Sequence, residues 1–165
     1  MEPNAFYQKL YGILDKASPL NFDCGRLCGA ACCQVSPELP GMYLFPGEEL
    51  LLRGQPGFTL SAAMLPGYGS ARLLSCAGTC DRGLRPLSCR IFPLAPKVAG
   101  GIVRARPDPR GRPVCPLCRQ PVSALSGGFV KAVEAVFLAL IEEPEMAGFL
   151  MALSNTIDEY GKPFL

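Results

Sequence analysis

The chain has 165 residues, 49% of them apolar and 18% charged, with a net charge of +2, a composition that supports one packed domain and excludes wholesale disorder. It contains nine cysteines and no histidine. The commonest general base and the commonest nitrogen ligand are therefore excluded, and any metal site is built from thiolates, with or without a carboxylate.

Residues 3–17 place Phe6, Leu10, Ile13 and Leu14 at helical spacing, which predicts an amphipathic first helix ended by Ser18-Pro19. Glu2, Lys9, Asp15 and Lys16 are mixed into the same stretch, so it reads as a helix and not as a signal peptide. No stretch reaches the roughly 18–20 apolar residues of a membrane span. A cytoplasmic protein with no membrane partner is expected. In that compartment clustered cysteines hold metal more often than they form disulfides, and an odd number of cysteines cannot all pair within one chain.

Residues 21–34 carry Cys24, Cys28, Cys32 and Cys33 among Gly25, Gly29, Ala30 and Ala31, small residues that let backbone amides approach sulfur. Residues 42–45 predict a short strand. Pro46-Gly47-Glu48-Glu49 then opens a helical turn, with proline early and acids in its first turn. Residues 58–65 and 71–75 read as paired strands joined across Pro66-Gly67-Tyr68-Gly69. Residues 76–96, rich in Arg, Pro and Gly, are expected to be irregular and carry Cys76, Cys80 and Cys89. A strand over 101–106 and a turn-rich loop over 107–116 lead to Cys115 and Cys118.

From Gly128 onward the texture changes. Phe129, Val133, Val136, Phe137 and Leu140 predict a strongly apolar helix ended by Glu142-Glu143-Pro144. A second helix over 145–159 aligns Met146, Phe149, Leu150, Leu153 and Ile157. The expected fold class is α+β: a small single domain with short strands and cysteine-rich metal-binding loops, flanked by N- and C-terminal helices. Residues 1–125 form the metal-binding part and residues 126–165 a helical hairpin packed on it.

The cysteines fall into three groups: Cys24, Cys28, Cys32 and Cys33; Cys76, Cys80 and Cys89; and Cys115 with Cys118. Thiolate selects zinc, cuprous copper or iron–sulfur clusters. A radical-SAM loop needs C-x3-C-x2-C, whereas Cys24, Cys28 and Cys32 give C-x3-C-x3-C, and the chain is too short for the barrel of that chemistry. Cys115-Pro116-Leu117-Cys118 has the C-x2-C spacing of a thiol–disulfide site but lies in a proline-bounded loop and not at a helix start. Half of a zinc ribbon fits it better, although a second C-x2-C is missing.

Charge is concentrated where five of the cysteines lie. Residues 72–119 hold nine arginines and one lysine against Asp81 and Asp108, a local excess of +8. Four thiolates around zinc, or around an oxidised 4Fe–4S cluster, leave about −2 on the site, which is costly to bury without counter-charge. Arg26, Arg82, Arg85 and Arg90 lie within a few residues of cysteines and are expected to donate toward sulfur, with Arg26, Arg85 and Arg90 as the cofactor-contacting set. Only Phe92 interleaves with the ten cations, so nucleic acid is not the expected partner. A protein partner and the oligomeric state are left open.

Cys24-Gly25-Arg26-Leu27-Cys28-Gly29-Ala30-Ala31-Cys32-Cys33 resembles the CxxCxxCC signature of the YkgJ-like family, described as a zinc- or iron-chelating domain, with one extra residue in each gap. Arg85-Pro86-Leu87-Ser88-Cys89-Arg90-Ile91-Phe92-Pro93 resembles its second signature, RPxxCRxFP. Tyr43-Leu44-Phe45-Pro46-Gly47-Glu48, and Asp108-Pro109-Arg110 ahead of Cys115-Pro116-Leu117, are similar to further pieces of the family. The resemblance covers residues 21–117 and extends to the cysteine-rich part of flagellin lysine methylases. It implies chelation through these cysteines, by a 4Fe–4S iron–sulfur cluster or alternatively by zinc. It implies no defined reaction, and no glycine loop for S-adenosylmethionine is present. The expected function is a cysteine-cluster protein holding one or two iron–sulfur clusters through its thiolates, at the core of a protein-modifying or electron-transfer system. The alternatives are a structural zinc module for partner interaction, and a metal chaperone or store using Cys32-Cys33.

Overall fold

Helix α1 (Pro3–Leu14) buries Phe6, Tyr7, Leu10, Tyr11 and Leu14 on one face, as the apolar spacing requires, and Pro3 opens it with a φ already suited to the helix. The computed structural model describes residues 2–33, 41–78 and 80–162; Gln34, at the end of the first cysteine segment, lies outside them. The helix stops at Leu14, three residues short of the expected end, and the Ala17 amide closes a turn back to the Leu14 carbonyl before Ser18-Pro19.

Two antiparallel sheets follow. The first has the order β1 (Met42–Tyr43), β3 (Gly69–Cys76), β2 (Phe58–Leu65), with Leu65 opposite Gly69 and Phe58 opposite Cys76. The expected hairpin is thus present, and β3 runs one residue beyond expectation to end on a cysteine. β1 is two residues shorter than expected, because Leu44 and Phe45 turn into the interior, where each is 1% exposed.

The second sheet pairs β4 (Leu94–Ala99) with β5 (Ile102–Pro107). β4 lies partly in the stretch expected to be irregular, and it carries Pro96, a residue that ordinarily breaks a strand. Val98 points its N–H away from β5, to Ser154 Oγ at 2.9 Å. Pro96, two residues earlier, faces the same way, so its missing donor costs the ladder nothing. Gly100 and Gly101 close the hairpin with φ of 57° and 77°, the left-handed pair that a two-residue turn requires.

Helices α5 (Gly127–Ile141) and α6 (Pro144–Gly161) pack on β5 and β4 respectively, and α1 packs against α5. Their expected apolar faces are buried, from Phe129 to Leu140 and from Met146 to Ile157. Phe149 is the hub, with the rings of Phe45 and Tyr68 each 5.2 Å from it. Each such fully buried side chain contributes about 1.5–3 kcal/mol relative to exposure. Asp158 of α6 is clamped by Lys97 of β4 and Arg106 of β5, which fixes the helix along the hairpin. Leu52, which ends the short helix α3 (Glu49–Leu52), joins Leu44 and Leu74 in a second, smaller cluster beside the first sheet. No helix among the described residues is long and apolar enough to cross a membrane.

Candidate metal centre

Short elements at the edge of this frame carry the cysteines. Cys24 caps, and Cys28 ends, the single turn α2 (Gly25–Cys28). Gly29 and Ala30 both take left-handed φ, 63° and 54°, and this double reversal swings Cys32 and Cys33 into a 3₁₀ turn over Ala31–Cys33. Cys76 ends β3, and Cys89 lies in α4 (Leu87–Ile91), which Pro86 opens in the stretch expected to be irregular. Cys115 and Cys118 bracket a 3₁₀ turn over Pro116–Arg119.

No disulfide joins any two of the nine cysteines. Cys32 and Cys33 are exposed, Cys115 and Cys118 are buried, and the other five are half-buried. The loops are held to one another by polar links. Asp23 accepts the Gly25 amide at 3.1 Å and pairs with Arg82 at 3.1 Å, joining the first cysteine group to the second. This pair is open to solvent and marks a position more than it adds stability. Gly111 lies so close to Cys118 and Phe92 that a methyl there would stand 2.6 Å from the sulfur and 2.7 Å from the ring.

The thiols sense one another across the three groups. Burial raises the Cys24 thiol above its ordinary value, and the neighbouring Cys115 and Cys28 add to it while Arg85 opposes it. Cys32 keeps its proton and donates it toward Cys33, with Cys28 and Cys115 also in its field. Cys33 is the opposite case. The Cys32 hydrogen bond, Arg85 and Arg82 bring it down to about 6, which favours its thiolate form. Burial raises Cys80, with Cys76 and Cys33 beside it. Burial pushes Cys89 up to about 12 against Arg85, with Cys33 and Cys80 near. Cys118 is raised by burial and then by Cys115 and Asp108.

Arg85 is thus the cation shared by Cys24, Cys33, Cys80 and Cys89. Its Nη2 donates to the Cys89 carbonyl at 3.0 Å. Arg90, expected to aim at sulfur, is used differently. Its Nε donates to the Arg85 carbonyl at 2.7 Å, its Nη2 donates to the Gly83 carbonyl at 2.9 Å, and its guanidinium lies 4.3 Å over the Tyr11 ring. It shapes the loop that presents Arg85. Arg26 acts on Asp23.

One important residue is invisible to sequence reasoning. Glu48, expected merely to favour a helix start, is fully buried. It accepts from Tyr11, from the Leu87 amide and from the Phe45 amide at 2.6, 2.5 and 3.3 Å. It anchors the start of α4, two residues ahead of Cys89. No local signal distinguishes it from a solvated acid.

In kind and number these donors would suit a thiolate-bound centre, and Arg85 and Arg82 lie in the field of its thiols. Among the described residues, no three Cys, Asp or Glu side chains are placed so as to hold one metal ion between them. A single tetrahedral zinc requires four sulfurs about 3.8 Å apart, from Zn–S bonds of about 2.3 Å.

The fold defines a small α+β domain with cysteine-bearing loops. Comparison with known protein families, with characterised proteins and with solved structures finds no match for this chain.

Proposed function

We propose that this chain is an iron–sulfur protein of the YkgJ-like kind, holding 4Fe–4S clusters through its cysteine loops as the electron-carrying core of a larger system. The observation that supports it is that two cysteine groups far apart in sequence share the cation Arg85, while Cys115 of the third group lies in the field of Cys24 and Cys32. On this reading the thiols are assigned to two sets that meet at the Cys32–Cys33 contact. Cys24, Cys28, Cys32 and Cys115 would hold one centre. Cys33, Cys76, Cys80 and Cys89 would hold the other. Cys118 then stands behind Cys115 as a supporting thiol.

A bound cluster supplies one-electron chemistry at a potential set by its charge, hydrogen bonds and exposure. The protein's own residues do the rest. Arg85 offsets the thiolate charge between the two sets, Arg82 adds to it at Cys33, and Arg90 with Glu48 fixes the loop that carries them. Anaerobically purified protein tests the reading through its visible spectrum. A broad visible absorption that dithionite bleaches supports it, and a colourless protein that dithionite leaves unchanged overturns it.

A further inference from the structure

We propose that β2 is an interface strand, through which two copies of this chain pair edge to edge as an antiparallel two-fold dimer. Exposed sheet edges are ordinarily blunted by charge, proline or shortness. The other edges here follow that rule: β1 has two residues, β4 carries Pro96 and Lys97, and β5 carries Arg104, Arg106 and Pro107. β2 has eight residues, Phe58–Leu65, with no charge and no proline, and it occupies the outer position of its sheet.

The register gives the pairing. The Leu44 amide donates to the Arg72 carbonyl, so Arg72 turns its backbone toward β1 and away from β2. Ala62, opposite Arg72, must therefore turn its own N–H and C=O outward, as must Leu60 and Met64 by the two-residue period. A two-fold axis at Ser61 sets Leu60 against Ala62 of the second copy and Phe58 against Met64. Leu60 and Ala62 then exchange both hydrogen bonds with their counterparts. The Met64 N–H reaches the second copy's Phe58 carbonyl, while the Phe58 amide and the Met64 carbonyl keep their partners Gln55 and Tyr43.

Side chains agree with this register. Ser61, Ala62 and Ala63 are small enough for two strands to approach at the axis. Met64, 70% exposed, gains the half-buried Phe58 ring of the second copy as a neighbour, a sulfur–aromatic contact. Phe58 and Leu60 flank the small cluster of Leu44, Leu52 and Leu74, so pairing extends a core that is thin in one copy.

Sedimentation velocity of the protein as purified, in reductant to exclude disulfide cross-links, tests this between 1 and 200 μM. The expected mass is twice the 17.6 kDa of one chain, and Ala62→Lys is expected to weaken association at least tenfold while leaving circular dichroism unchanged. A monomer throughout the range overturns the proposal, as does a dimer that Ala62→Lys leaves intact. If the variant misfolds, amide exchange of the unaltered protein decides. Exchange slowed at Leu60, Ala62 and Met64 on concentration supports the pairing, and fast exchange at those three in a dimer of the expected mass overturns it.

Discussion

Oε1 of Glu48 accepts the Tyr11 hydroxyl at 2.6 Å, in a site where the carboxyl has no exposure to solvent. The same oxygen takes the Leu87 amide, so one buried acid joins α1 to the short helix that presents Cys89. Burial, the dominant cause, raises this carboxyl to about 7, while Tyr11, the Leu87 and Phe45 amides and Arg90 oppose the rise.

A pH dependence follows, with a definite sign. Between about 4.5 and 7 the folded protein binds the proton that the unfolded chain has released. Stability from this group is therefore full below about 4.5 and falls as pH rises toward 7, by an amount on the order of 3 kcal/mol. Glu48→Gln removes that slope. Urea unfolding of both proteins at pH 5, 6, 7 and 8 checks it, and parallel curves contradict it.

Two glycines give opposite outcomes on the same substitution. Gly111→Ala drives a methyl to 2.6 Å from the Cys118 sulfur and 2.7 Å from the Phe92 ring, and costs about 1–3 kcal/mol by overpacking. Gly12→Ala, inside α1 with nothing within 4 Å, stabilises by about 0.5–1 kcal/mol through helix propensity. Thermal melts of the two variants are expected to move in opposite directions.

Cys33 is expected to be the fastest thiol toward iodoacetamide in reduced, metal-free protein, with a labelling midpoint near pH 6. Cys32→Ala removes the hydrogen bond that is the largest cause of the shift and moves the midpoint up. Peptide mapping after brief labelling at pH 6 to 9 reads both, and bound metal protects the site. Equal labelling of Cys32 and Cys33 at pH 7 contradicts the assignment.

Arg85 and Arg26 should separate cleanly. Arg85→Gln takes away the cation beside Cys24, Cys33, Cys80 and Cys89. The thiols then hold their protons more tightly, and the pH midpoint of metal loading rises. Arg26→Gln, whose effect falls on the exposed Asp23, leaves the midpoint unchanged. Iron content after reconstitution at pH 6, 7 and 8 distinguishes the two.

The helices α5 and α6 and the β2–β3 hairpin were legible because each holds one hydrophobic period long enough to register. α4 was not, since five residues behind a proline carry no period, and β4 was hidden by Pro96. The cysteines were visible as a set, but their grouping was not. Cys33 follows Cys32 directly, yet its other neighbours are the arginines and cysteines of residues 80–89, a relation created by the turn at Gly29 and Ala30. Glu48 was illegible for the same reason: its partners Tyr11 and Leu87 lie 37 and 39 residues away.

The most direct test of the thiolate-cluster account is the iron, acid-labile sulfide and zinc content of anaerobically purified protein. About eight irons and eight sulfides per chain are predicted for two four-thiolate centres. One zinc or more per chain with neither iron nor sulfide would contradict it.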